Sequence, residues 1–293
     1  MKATSLSINL PLGCNAKCPF CISRMTWKPD QRVDIESDKF MNALGRALAY
    51  AAFHRVDTVL ITSPGEPLLD LNAVRRVAEA ARLHSIPIVE LQTNGLRLLE
   101  VDRGPAVFAI CRTSGINTIA ISAAAMDSRQ SSTIMHLPED YDYLKAAKVV
   151  ADTRLLCRIT LNLTRDFDLL YFDDYVDMLR NNGVHQLTLR ELGTAEVDAS
   201  SPAADRVRDW VTNNKLEDTF EMALIERVHG HGAPLRELPH GGWVHDYRGV
   251  AVVTATCMEV LPTDLRDGRV RSLILQPDGG LYHSWQHRGS RVL

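Results

Sequence analysis

The stretch Ser5-Leu6-Ser7-Ile8-Asn9-Leu10-Pro11-Leu12-Gly13-Cys14-Asn15-Ala16-Lys17-Cys18-Pro19-Phe20-Cys21 runs from a strand-like segment straight into a loop that carries three thiols. Residues 38–54 follow with apolar side chains at helical spacing and Ser37 as an N-cap,. Strand, functional loop, helix is the opening of a βα unit. The same alternation recurs along two thirds of the chain.

Strand-like runs fall at residues 56–62, 86–92, 116–122, 154–162 and 184–190. Helical patterns separate them at 71–84, capped by Asp70, and at 105–112, 139–151 and 169–181. With residues 5–10 this makes six strands, and Gly183 stands where a helix-ending glycine belongs,. The run 56–62 is nearly all apolar, as expected of a strand covered on both faces. The predicted fold is α/β: a partial (βα)6 TIM-like barrel of parallel strands over residues 1–195, with a helical and β-hairpin extension over 196–293. In that extension, residues 203–211 and 216–228 read as helices, and 250–256 and 271–275 as strands. Residues 273–276 and 281–285, joined through Pro277-Asp278-Gly279-Gly280, read as a hairpin,. No linker-like stretch separates the extension, which is expected to pack on the barrel as a substrate-side lid.

The chain has 293 residues, a formal net charge of −3 and 45% hydrophobic residues, enough to bury a core without staples,. There is no apolar run of membrane-spanning length and no signal-peptide pattern at the start, so a cytoplasmic protein with no membrane partner is expected. With 33 Lys plus Arg against 36 Asp plus Glu there is no global basic field, which speaks against a nucleic-acid partner,. Arg266, Arg269 and Arg271, interrupted by Asp267, form a modest basic cluster and read as a solvated turn.

Six cysteines are too sparse for a disulfide scaffold,. Cys111 and Cys157 fall in apolar helical and strand contexts and read as core thiols, while Cys257 has no assigned role. Cys14, Cys18 and Cys21 are different: three thiols on a loop at a strand's C-terminal end, where parallel βα folds build active sites. Structural zinc normally takes four protein ligands, and no second Cys or His pair offers a matched half. An iron-sulfur cluster with one iron left for an external ligand suits three thiolates, with zinc as the alternative.

The C-x3-C-x2-C loop, with Phe20 before its last cysteine, resembles the signature of radical S-adenosylmethionine (SAM) enzymes. Later strand ends add to it: Ser63-Pro64-Gly65-Glu66-Pro67 is similar to the family's GGEP segment, with Pro64 in place of the first glycine, and Gln92-Thr93-Asn94-Gly95 to its TNG. The resemblance covers roughly residues 5 to 195, in the layout of the branch containing molybdenum-cofactor GTP cyclase and viperin-like enzymes.

It implies that Cys14, Cys18 and Cys21 hold a [4Fe-4S] cluster whose remaining iron takes the amino and carboxylate groups of SAM. It further implies that Phe20, Gly65, Glu66, Thr93, Asn94, Ser122, Asn162 and Arg190 line the cofactor site. An external one-electron donor such as flavodoxin or ferredoxin would reduce the cluster, and the substrate would be a small polar molecule, possibly in the nucleotide or nucleoside class. Independently of the resemblance, Gly65 allows close backbone approach, Glu66 can accept from an ammonium, and Arg190 can grip a carboxylate or phosphate.

The departures are the second three-cysteine cluster and diglycine tail of the molybdenum-cofactor enzyme. Here only Cys257 follows Cys157 and the sequence closes on Arg291-Val292-Leu293; a second cluster and that particular activity are not expected. Alternatives are a peptide-modifying radical SAM enzyme and a non-catalytic iron-sulfur or zinc-binding interaction protein. Six of the ten histidines, His229, His231, His240, His245, His283 and His287, accompany Trp243 and Trp285 in the last third. They read either as substrate contacts of the lid or as solvated loops around packed indoles.

Overall fold

The computed structural model describes residues 2–26, 33–194, 201–238, 242–255, 266, 268–285 and 287–293. The βα alternation is present as β1 (Lys2–Asn9), α1 (Asp38–Phe53), β2 (Thr58–Thr62), α2 (Leu71–Leu83), β3 (Ile88–Thr93), α3 (Gly104–Ser114) and β4 (Thr118–Ala123). It continues through α4 (Ser128–Met135), α5 (Tyr143–Ala151), β5 (Leu156–Leu163), α6 (Phe172–Asn181) and β6 (Gln186–Glu191). The caps act as the sequence predicts. Ser37 accepts from Phe40 N at 3.3 Å and Asp70 from Ala73 N at 2.9 Å. Gly183 takes the left-handed conformation, φ +77°, that ends α6,.

The remaining elements are α7 (Pro202–Asn214), α8 (Asp218–His231), β7 (Ala233–Glu237), β8 (Trp243–Tyr247), β9 (Val250–Ala255), β10 (Arg269–Leu275) and β11 (Leu281–Tyr282). Among the described residues these strands join one sheet in the order β11-β10-β1-β2-β3-β4-β5-β6-β9-β8-β7. β10 runs parallel to β1 and β9 parallel to β6, so the parallel series of the barrel is flanked on each side by a strand from the last third of the chain. The expected hairpin is β10 with β11, paired antiparallel through Ile274 with Tyr282 and Leu275 with Leu281. The sheet does not close, because its outermost strands β11 and β7 lie at opposite ends of the order.

Two differences from the sequence reading have physical causes. The first is α4, a helix in the β4–α5 connection whose Ser-rich run carries little apolar periodicity; Asp127 caps it by accepting from Gln130 N at 2.8 Å,. The second concerns the sheet faces. One face is apolar through the strand bodies: Leu6, Ile8, Val59, Ile61, Leu91, Ile119, Ile121, Ile159, Leu161, Leu187 and Leu189 are at most 1% exposed. They share a core with Phe40 and Leu48 of α1, Val77 of α2, Val150 of α5 and Leu179 of α6, and both Cys111 and Cys157 lie in it as expected.

The opposite face is mainly polar from β3 to β6. In register across it stand Gln92, Ala120, Arg158 and Gln186, and beside them Ser122, Thr160 and Thr188. Arg158 reaches over the small Ala120 to Glu90 at 2.5 Å, while its other nitrogens donate to Gln186 Oε1 and Gln92 Nε2 donates to Glu90 at 3.0 Å. Buried carboxylates persist where cations and amides satisfy them. Arg158→Met is expected to lower the unfolding free energy by about 3 kcal/mol by stranding Glu90. Equilibrium urea denaturation should show Glu90→Leu added to it recovering part of that loss; additive losses would refute the pairing.

Candidate functional site

The loops after β1, β2 and β3 meet at the C-terminal end of the sheet. Glu66 lies at their junction, 1% exposed. Its Oε1 accepts from Leu68 N at 2.9 Å and from the Thr93 hydroxyl at 2.7 Å, and its Oε2 from Asn94 N at 2.8 Å. Burial pushes the carboxyl up from its ordinary pKa, and these three donors pull it back,. Asn94 extends the linkage by donating to Asn15 Oδ1 at 2.7 Å, and Tyr141 OH donates to Asn94 O at 2.7 Å. Glu66, Thr93 and Asn94 are thus brought together as one hydrogen-bonded unit. A carboxylate has about four acceptor positions, so one remains for a further donor.

Gly65 is where the β2 loop crosses the thiol loop. A Cβ there would sit 1.8 Å from Gly13 O and 2.5 Å from Leu12 O, and the next residue's amide, Glu66 N, donates to Gly13 O at 2.7 Å. Only glycine fits this crossing.

The three cysteines lie on the crossed loop as free thiols, Cys14 exposed and the others half-buried. They are within electrostatic reach of one another. Burial pushes Cys18 up to about 12, with Cys21 and Cys14 adding to the rise, and burial also raises Cys14, which feels Glu66 and Cys21,. Cys18 Sγ lies 3.7 Å from Met135 O at the end of α4, and Cys21 Sγ lies 3.0 Å from the Ser23 hydroxyl, which donates to Pro64 O at 2.9 Å. The thiols are not drawn into a closed ligand cage: no group of three or more His, Cys, Asp or Glu among the described residues has metal-site geometry. The soft donor set, the spacing and the neighbouring crossing at Gly65 nonetheless fit a thiolate-held cluster with one position left open.

The other expected residues divide. Ser122 and Arg190 lie on the polar face, partly exposed, and their side chains have no hydrogen bond or ion pair among the described residues. Asn162, in register with Arg190, donates to Ala123 O at 3.0 Å. Phe20 packs against Trp210 of α7 with ring centroids 5.6 Å apart. Cys257 and His240 lie outside the described residues. His229, His231, His283 and His287 are exposed, whereas His245 is 4% exposed and stacks on His229 with centroids 4.5 Å apart. Trp243, expected either in the lid or in a small core, is 41% exposed.

Sequence reasoning missed Trp210, Tyr141 and Ser23. Ser23 and Tyr141 act through side-chain hydrogen bonds to other loops, which leave no periodic trace. Trp210, inside a helical pattern, carried only the general signal that indoles pack.

The family model of the radical SAM superfamily matches residues 8–154, half of the 293. The chain belongs to the radical SAM superfamily. Members use a [4Fe-4S] cluster and SAM, and this chain is a radical SAM enzyme. It is similar to GTP 3',8-cyclase of Mycolicibacterium smegmatis, 29% identical over 93% of this chain and 74% of that protein. It also resembles GTP 3',8-cyclase 2 of Mycobacterium bovis, 25% identical over 94% of this chain and 76% of that protein. Against other GTP 3',8-cyclases it spans as little as 59% of their length. Among solved structures, Streptococcus suis SuiB bound to S-adenosylmethionine superposes with a TM-score of 0.59 at 16% identity, over 96% of this chain and 60% of that one. That likeness is one of fold. None of the helices among the described residues is long and apolar enough to cross a membrane.

Gly65→Ala in this radical SAM enzyme is expected to cost about 1–3 kcal/mol, the range for forcing a methyl into filled space, since the obstacle is backbone. Thermal unfolding checks it. An unchanged midpoint would mean that the thiol loop does not need the Gly13 crossing.

Proposed function

We propose that this radical SAM enzyme cleaves SAM reductively and abstracts a hydrogen from a small polar substrate of the nucleotide or nucleoside class. The observation that carries the reading is the junction of Glu66, Thr93, Asn94 and Asn15. It fixes the thiol loop and the β2 and β3 loops against one another at the C-terminal end of the sheet. The substrate class is supported by the names of the relatives, GTP 3',8-cyclases.

Cys14, Cys18 and Cys21 would hold the cluster. When bound and reduced, the cluster supplies the electron that splits the SAM sulfonium into methionine and a 5′-deoxyadenosyl radical. The protein's own contribution is placement. Glu66 offers its remaining lone pair to the ammonium of SAM, and Gly65 lets backbone approach it. Ser122 and Asn162 supply polar contacts to carboxylate or ribose, and Phe20 and the Thr93–Asn94 turn bound the site. Arg190, partnerless among the described residues, presents a guanidinium to an anionic group of cofactor or substrate. Residues 196–293 act as the substrate-side cover over the core of 1–195. The polar face keeps a small polar molecule hydrogen-bonded in place of water. A flavodoxin- or ferredoxin-like donor provides the electron from outside, in the cytoplasm.

Anaerobic reconstitution with iron and sulfide, followed by dithionite and SAM, should give an iron-sulfur absorption band and 5′-deoxyadenosine. Cys18→Ala is expected to abolish the band while Cys111→Ala keeps it; equal iron loss in both, or four zinc ligands by X-ray absorption, would overturn the reading. Glu66→Gln should weaken SAM binding about tenfold or more, as loss of a hydrogen bond to a charged group does. Calorimetric titration of the reconstituted protein with SAM measures this, and unaltered affinity would remove Glu66 from the site.

A further inference from the structure

The thiol loop is held from its outer side by the last third of the chain. Met25, 0% exposed, packs with Leu192, Val207 and Val211 in a small core of its own, with Phe20 and Trp210 packed against it. Phe20 also touches the main core, so it bridges the two. It is flanked in sequence by the loop that carries Cys18 and Cys21. The short 3-10 turn Ile22–Arg24 that follows lies against α7. The far end of α7 is tied to the same end of the sheet, where Arg165 N donates to Asn214 O at 2.8 Å and Thr164 pairs with Lys215. The helix therefore braces the loop against the mouth of the sheet. The N-terminal end of the brace is also set, since Ser201 caps α7 by accepting from Ala204 N at 3.1 Å.

We infer that Trp210 is a positioning residue for the cluster: its indole, packed on Phe20, fixes the loop between Cys18 and Cys21 and keeps water from its outer side. The inference rests on the proposed cluster site and adds to it a residue outside the matched 8–154 segment. Large rigid aromatics bury much area at little entropic cost, and a tilted aromatic pair adds about 0.5–1.5 kcal/mol beyond burial. Solvent access and surroundings tune the stability and potential of iron-sulfur centres, so loosening this contact acts on the cluster without touching a ligand.

The test uses the full chain in four forms: wild type, Trp210→Ala, Trp210→Phe and Leu179→Ala. Leu179 is buried in the main core on α6 and serves as a control for general destabilisation. After anaerobic reconstitution, Trp210→Ala should lose its cluster in air about tenfold faster than wild type, the lower end for outer-sphere partners of a metal site. The EPR line shape of its reduced cluster should change, and Trp210→Phe should restore both. In the iron-free protein, Trp210→Ala should speed tryptic cleavage after Arg24, which is exposed beside buried Met25. Leu179→Ala should lower thermal stability and leave all three readouts at wild type. Wild-type values in Trp210→Ala, or the same changes in Leu179→Ala, would overturn the assignment. If Trp210→Ala does not fold, failure of Trp210→Phe to match wild type in cluster lifetime would refute the packing account. A wild type that takes up no cluster would instead defeat the proposed function, and cleavage after Arg24 would still decide the brace.

Discussion

The carboxylate of Glu66 lies almost wholly out of water with three donors aimed at it: the amides of Leu68 and Asn94 and the hydroxyl of Thr93. A buried carboxylate left with fewer partners would be costly, so these bonds fix the geometry of every segment that supplies one. Through Asn94 the constraint passes to Asn15, and through the amide of Glu66 to Gly13. The thiol loop is therefore positioned by the loops of two other strands. That arrangement explains why a segment without regular secondary structure can present three cysteines reproducibly.

The sheet beneath this junction separates two chemistries by side-chain alternation alone. Apolar side chains of one face pack under the helices, while the other face carries Glu90, Gln92, Arg158, Gln186, Ser122 and Arg190. The lower part of that face is internally satisfied by the Glu90–Arg158–Gln186 set. Ser122 and Arg190, nearer the strand ends, have no such partners among the described residues, so the polar groups left over lie toward the mouth and not the floor. Outside the sheet, Asp173 of α6 accepts from Tyr247 at 2.6 Å and pairs with Arg227 of α8, and those partners hold its carboxyl below the usual range. The last third of the chain is thereby fastened to α6, in addition to α7's contact with the small core beside the thiol loop.

Much of this was legible in the sequence, because the physics involved is local. Alternating strand and helix periods, caps such as Asp70 and the glycine after α6 depend on neighbours within a turn. The three-thiol spacing needs only one loop, and the clustering of polar residues at strand ends follows from where apolar runs stop. What stayed hidden depends on pairs distant in the chain. The short alternation in β2 reads as a continuous apolar run, since Leu60 stands on the face that carries Ser7 and Glu90. The Ser-rich α4 lacks an apolar stripe, and its existence is decided by Asp127 and by packing.

By itself the sequence determined the repeated βα order, the thiol loop after the first strand and the Ser-Pro-Gly-Glu-Pro and Thr-Asn-Gly turns after the next two, because residue type and spacing dictate these within a few positions. Only the tertiary structure decided that Glu66, Thr93 and Asn94 form one buried unit and that β9 and β10 flank the six-strand series on opposite sides. It also decided that Trp210 lies on Phe20. Each of these joins residues far apart in the chain, and such contacts are selected by burial and hydrogen-bond satisfaction of the whole molecule, which no local pattern encodes.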